Sequence, residues 1–229
     1  MKQPYELATF SHEINNSLTL IYSQLQYIEN TKDDLKNDEN WCQVKEDFSS
    51  LFDLIKQVLS PSIPTSAALE PQNLISLFEE IRSSWHYRLS RENIHFYIQA
   101  DSNESYYVYG AKAQLLQMFH NLVSNAIKAI ERKKDAGINP SITVHLSKEQ
   151  GHIVLNLSDT GIGMTREQQQ RAFYRGVSFI PKGNGIGLSV VNEIADKLHV
   201  KIHMDSAINQ GTTFTLIFPA MEHTKPVPV

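Results

Sequence analysis

The residues able to do chemistry fall into two groups. In the first, Ser11-His12-Glu13-Ile14-Asn15-Asn16 sets an imidazole one helical turn ahead of an amide. Neutral imidazole is nucleophilic near pH 7, so His12 can attack a terminal phosphoryl group while Glu13 accepts its proton. Asn16, four residues on, shares that helix face and can orient a water toward the product. In the second group, much further along, stand two glycine-rich strings, Asp159-Thr160-Gly161-Ile162-Gly163 and Gly183-Asn184-Gly185-Ile186-Gly187. A carboxylate at a strand end followed by two glycines lets backbone approach a flat ligand, and Asp159 can accept from an exocyclic amine such as adenine's. The second string opens a helix, whose free amides suit phosphate. A lone glycine pair is a turn by default, but two such strings in this order are harder to explain as turns.

A polar helix face lies ahead of both strings. With Asn121 taken as zero on an ideal helix, Asn125 falls at about 40° and Lys128 at about −20°, while Leu115, Phe119, Leu122, Ala126 and Ile130 fall between about 100° and 180°. The helix packs with one side and presents two amides and a cation with the other. Amide oxygens suit Mg²⁺ and a lysine suits phosphate; taken alone, an ordinary solvated face explains the pattern better. Between the glycine strings, Phe173 to Lys182 carries glycine and proline where a regular element would be. It reads as a cover whose Arg175 and Lys182 close on a triphosphate, or as a surface loop with two solvated cations. His86, His95, His145, His152, His203 and His223 lack neighbours like those of His12 and read as surface or strand residues.

These groups need elements to hold them. Leu7, Ile14, Ile21 and Ile28 repeat every seven residues, with Leu18 and Leu25 in the alternating places of a helical seam. After a charged break at 30–40 the spacing returns at Trp41, Val44, Phe48, Leu51, Ile55 and Val58. A two-helix hairpin leaves such a stripe wet, and pairing with a copy of itself as a four-helix bundle covers it, so a homodimer is expected. Pro61 and Pro64 end the second helix. The expected organisation is a hairpin at 1–60, a linker at 61–70, a second domain at 71–220 and a loose tail at 221–229. In the second domain the periods predict helices at 73–89, 111–134 and 188–198, and strands at 94–100, 142–146, 153–158, 201–204 and 212–218. The class is α+β, with helices against one face of a mixed or antiparallel sheet.

Bulk properties narrow the function. The 229 residues are 41% hydrophobic, enough for one ordinary core plus a smaller element. A net charge of −4 gives no footprint for direct nucleic-acid binding. The apolar run Leu115 to Val123 is interrupted by Gln117, His120 and Asn121 and falls short of the roughly 20 residues a membrane span needs. No charged-then-apolar leader opens the chain, and Cys42 stands alone, which fits a reducing cytoplasm.

Taken together, the motifs resemble the catalytic core of a sensor histidine kinase, a dimerisation and phosphotransfer hairpin followed by an ATP-binding domain of the GHKL (Bergerat) type, an α/β sandwich. Ser11 to Leu18 resembles the phosphoacceptor box, Asn121 to Lys128 the asparagine box and the glycine strings the two glycine boxes; Gly211-Thr212-Thr213-Phe214 resembles the terminal strand. The resemblance implies His12 as phosphoacceptor, Glu13 as general base and Asn16 as phosphatase residue. It implies Asn121 and Asn125 as the Mg²⁺ site and Asp159 with Thr213 at adenine. Lys128, Gly161, Gly163, Arg175, Lys182, Gly185 and Gly187 complete an ATP site, and a response-regulator receiver domain is the implied partner. Related ATPases carry glutamate where Asn121 stands, so this chain should transfer phosphate more readily than hydrolyse ATP. The Arg175 to Ser178 string most resembles the citrate and dicarboxylate sensors. Ser17 departs from the proline common in the phosphoacceptor box. Two other classes compete: a non-ATP phosphotransfer dimer of the sporulation phosphorelay type, and an anti-sigma serine kinase, which needs no phosphoacceptor hairpin.

Overall fold

The computed structural model describes residues 69–133, 139–179 and 185–219, with scattered positions between 21 and 51. His12, Glu13, Asn16 and Lys182 lie outside the described residues, as do the tail and most of the proposed bundle. The chain divides into two units, Met1–Ala67 and Ala68–Val229. In the first, Ile21, Leu25, Ile28, Trp41, Val44, Phe48 and Leu51 are all helical, as their spacing predicts. Asp38 starts the second run: its Oδ1 accepts from the Trp41 N–H at 2.8 Å, the bond expected of a helix cap. Ile21, Ile28, Val44 and Leu51 are exposed.

The second unit runs β1 (Glu70–Asn73), α1 (Leu74–Ser84), α2 (His86–Arg91), β2 (His95–Ala100), β3 (Tyr107–Gly110), α3 (Lys112–Glu131), β4 (Ser141–Glu149), β5 (His152–Asp159), α4 (Arg166–Arg171), α5 (Gly187–Lys197), β6 (Lys201–Ala207) and β7 (Gly211–Phe218). Five strands form one sheet in the order β2-β4-β5-β7-β6, and β1 pairs with β3 in a separate ribbon. β2 and β4 run parallel and the other neighbours antiparallel, so the sheet is mixed. Helices α1, α3 and α5 cover one face. The alternation in β4, β5 and β7 sends Ile142, Val144, Leu146, Leu155, Leu157, Phe214, Leu216 and Phe218 into that layer. His95, His145 and His203 lie exposed on strands.

α3 is the central helix, beside both α1 and α5 and over β4, β5 and β7. Its predicted stripe is buried, and Met118, Val123 and Ile127 are buried too, because the helix has neighbours on two sides rather than one. The helix predicted at 73–89 is interrupted at Trp85, whose indole N–H donates to His120 Nδ1 at 2.9 Å. Arg88 then forks onto Glu131 at 2.9 and 3.0 Å, tying α2 to α3. No described helix is long and apolar enough to cross a membrane.

Candidate functional site

The site is built on consecutive turns of α3. At Asn121 and Asn125 the helix meets the start of α5: a Cβ placed on Gly187 would lie 3.5 Å from Asn121 Oδ1 and 3.8 Å from Asn125 Nδ2. The two amides therefore converge on a spot where the second glycine string supplies no side chain. Asn125 Nδ2 is buried without a hydrogen-bond partner. Such a group costs about 1–3 kcal/mol, so it points to something that satisfies it in the working state. Turned about its Cβ–Cγ axis, the same amide presents an oxygen there. Amide oxygens are hard donors of the kind that suit a cation such as Mg²⁺. Lys128 is half-buried one turn on, close to the same face.

One turn past Asn125, Ala129 accepts from the Ile162 N–H at 3.1 Å, so the first glycine string lies along the same helix. A Cβ on Gly161 would fall 2.6 Å from that of Ala129, and one on Gly163 only 1.9 Å from Ala207 O. Gly163 is also left-handed, at φ 65°. The expected reason for these glycines was the approach of a ligand, but the structure gives a nearer one. The string is clamped between α3 and the β6–β7 turn, with the Asn209 N–H bonded to Ile162 O at 2.7 Å. The second string holds the cover in the same way: at Gly185 a Cβ would fall 2.5 Å from Gly176 C, and the Gly176 N–H donates to Gly185 O at 2.9 Å. Arg175, beside this tie, is exposed.

Asp159 ends β5 facing the helical layer and is 7% exposed. Gly161 N–H donates to its Oδ1 at 2.8 Å, and the Thr212 N–H also bonds to it. Burial outweighs these bonds and the nearby Lys133 charge, and the pKa rises from 3.8 to about 6. A raised carboxylate adds stability that is fully present below its unfolded value and lost as pH rises through the folded one. The empty protein should therefore lose on the order of 2 kcal/mol between about pH 4 and 7 from this group. Denaturation of wild type and Asp159→Asn across that range checks it: the difference between their stabilities should change with pH, and a constant difference contradicts it.

The register separates two neighbouring hydroxyls. Asp159 pairs with Thr212 and Ser158 with Thr213. Thr212 is buried on the Asp159 face, and its hydroxyl lies 3.0 Å from Ser206 Oγ. Thr213 lies on the opposite face, bonded to Ser158 Oγ at 2.8 Å. The hydroxyl beside Asp159 thus belongs to Thr212, not to the expected Thr213, because successive strand residues face opposite ways. Ser206 was also missed by the sequence reading. It accepts the Met164 N–H at 2.8 Å and donates to Gly211 O at 2.9 Å, which fixes the rim of the first string.

A one-sided α/β sandwich whose central helix carries two amides, with a glycine string on each of two turns and a buried carboxylate beside them, defines a nucleotide-binding class of domain. Residues 110–222 of the chain match the family of histidine kinase-, DNA gyrase B- and HSP90-like ATPases. Over 217 residues, 93% of the chain, it is 27% identical to Sporulation kinase B of Bacillus subtilis and 30% identical to the heme sensor protein HssS of Staphylococcus saprophyticus. It spans 49% and 46% of their lengths, about half of each. The fold is shared with histidine kinase ThkA in its complex with the response regulator protein TrrA, at a TM-score of 0.63 and 21% identity, covering 97% of this chain and 63% of that one.

Proposed function

We propose that the chain is the catalytic core of a two-component sensor histidine kinase. ATP bound on the second unit phosphorylates His12, and the phosphohistidine passes its phosphoryl group to an aspartate of a response-regulator receiver domain. The observation that carries the reading is the convergence of Asn121, Asn125 and Gly187 on one helix face whose next turn holds the Asp159 string. The ATPase family match over 110–222 and the named kinase among the relatives support it.

In this reading the Asp159 carboxylate and the Thr212 hydroxyl read the adenine edge. Gly161 and Gly163 shape its floor. Asn121 and Asn125 offer amide oxygens to Mg²⁺, which neutralises phosphate charge when bound. The opening of α5 at Gly185 and Gly187 faces the phosphates with backbone amides, and Lys128, Arg175 and Lys182 supply cations. Glu13 takes the imidazole proton as His12 attacks; an N–P bond forms, the β–γ bridging P–O bond breaks, and ADP leaves. The hairpin forms a homodimer through its exposed stripe, and the protein works in the cytoplasm without contacting nucleic acid directly. The Arg175 to Ser178 string keeps the citrate and dicarboxylate sensors as the subgroup. The non-ATP phosphotransferase alternative is not favoured, since it has no use for the convergent amides.

Calorimetric titration of the chain with Mg-ATP tests the reading. One saturable site per chain is expected; absence of binding contradicts it. A second expectation concerns Asn16, proposed to orient water toward the phosphorylated partner. Asn16→Ala should leave autophosphorylation intact and slow regulator dephosphorylation by about tenfold or more. Equal dephosphorylation rates would refute that role.

A further inference from the structure

Three segments meet around one ammonium group at the end of α3. Lys133 follows the last turn of the helix, its N–H bonded to Ile130 O at 2.9 Å. Its Nζ donates to Thr160 O at 3.0 Å and to Asn209 O at 2.8 Å. Thr160 belongs to the first glycine string and adjoins Asp159; Asn209 forms the β6–β7 turn and itself bonds to Ile162 O. A single cation therefore bridges the asparagine-bearing helix, the string and the turn. A lysine with a merely solvated role would not cap two carbonyls on two segments that both enclose Asp159. The groups acting on that carboxylate are the Gly161 and Thr212 N–H groups and Lys133, so Lys133 is the one charge among them.

We propose that Lys133 is a positioning residue for the nucleotide: its ammonium holds the 159–163 backbone against the β6–β7 turn and keeps a positive charge beside the Asp159 carboxylate. The inference rests on reading this pocket as the adenine site. Two effects follow, one geometric and one electrostatic. Without the tie the string loses its anchor to the turn, and binding must order it again. Without the charge, burial acts on Asp159 with less opposition, and the ionised form that accepts the amine's hydrogen bond becomes rarer near neutrality.

The test uses the full chain, Mg-ADP as ligand, and the variants Lys133→Met, which keeps the apolar stem, and Lys133→Arg, which keeps the charge. Affinity is measured by calorimetry across about pH 5.5 to 8, alongside the unfolding midpoint of each empty protein. Lys133→Met should weaken binding about tenfold near neutral pH, the scale of charge-assisted hydrogen bonds lost from a binding loop. Its loss of binding on acidification should also begin at a higher pH than in wild type. Lys133→Arg should stay within about twofold of wild type. Unchanged affinity in Lys133→Met overturns the proposal, as does an equal loss at every pH, which is what a purely structural lysine would produce. If wild type itself binds no Mg-ADP, the adenine reading falls and takes this inference with it; binding by wild type with an indifferent Lys133→Met variant defeats the Lys133 role alone.

Discussion

Asp159→Asn is expected to remove nucleotide binding near neutral pH, with a loss of about 100-fold or more. A carboxylate has two acceptor oxygens, and here two backbone N–H groups, from Gly161 and Thr212, already face them. An amide keeps one oxygen and turns the other position into a donor. That donor would oppose either a backbone N–H or the exocyclic amine of adenine, and the site has no water-filled margin at 7% exposure in which to turn away. The charge that strengthens the amine contact disappears as well. The fold should survive, since burying a neutral amide is easier than burying a charge. Calorimetry or nucleotide fluorescence reads the affinity, and the unfolding midpoint reads the fold. Wild-type affinity in this variant would put the adenine elsewhere.

Asn125→Ala should show the opposite separation of stability from activity to that of a core residue. Its Nδ2 is buried without a partner, so the wild-type fold carries an unsatisfied group there. Removing it should leave the unfolding midpoint unchanged or slightly raised. Autophosphorylation should fall by about 100-fold or more, because a cation ligand at the phosphates contributes several kcal/mol to transition-state charge stabilisation. A parallel collapse of stability would make Asn125 a structural residue. A normal rate would remove it from the site.

The fold was legible wherever one period dominated. α3, α5 and the five strands of the main sheet stand where the apolar spacing predicts, because each has one face on a continuous core. The missed elements lack that signal. α4 buries no residue of its own; it is held by a capping box in which Thr165 Oγ1 accepts from the Gln168 N–H and Gln168 Oε1 from the Thr165 N–H. The string Thr165-Arg166-Glu167-Gln168 spells that box and could have been read. β1 is Glu-Pro-Gln-Asn with no apolar alternation, and β3 buries only Val108 and Gly110 between exposed tyrosines. Their pairing is set by chain neighbours rather than by pattern. The break falls at Trp85, whose indole makes a tertiary bond to His120 that no local rule contains.

At the site, residue types were legible and directions were not. The 3.6-residue period placed Asn121, Asn125 and Lys128 on one side of α3, and the half-burial of all three agrees. Choosing between Thr212 and Thr213 needed the pairing with β5, because only the register says which one shares a face with Asp159. Lys133 was invisible for a related reason: it gains meaning only when Thr160 and Asn209, far apart in sequence, are brought to its ammonium. The glycines were recognised, but their nearest constraint is the protein itself: backbone at Gly163 and Gly185, the Ala129 and Asn121 side chains at Gly161 and Gly187.

The most direct test is to incubate the full chain with Mg-ATP labelled at the γ-phosphate and map the label. A phosphoramidate, labile to acid and stable to alkali, is expected on the peptide containing His12 and absent from His12→Ala. Label that resists acid, that sits on a serine or threonine, or that persists without His12 would contradict it.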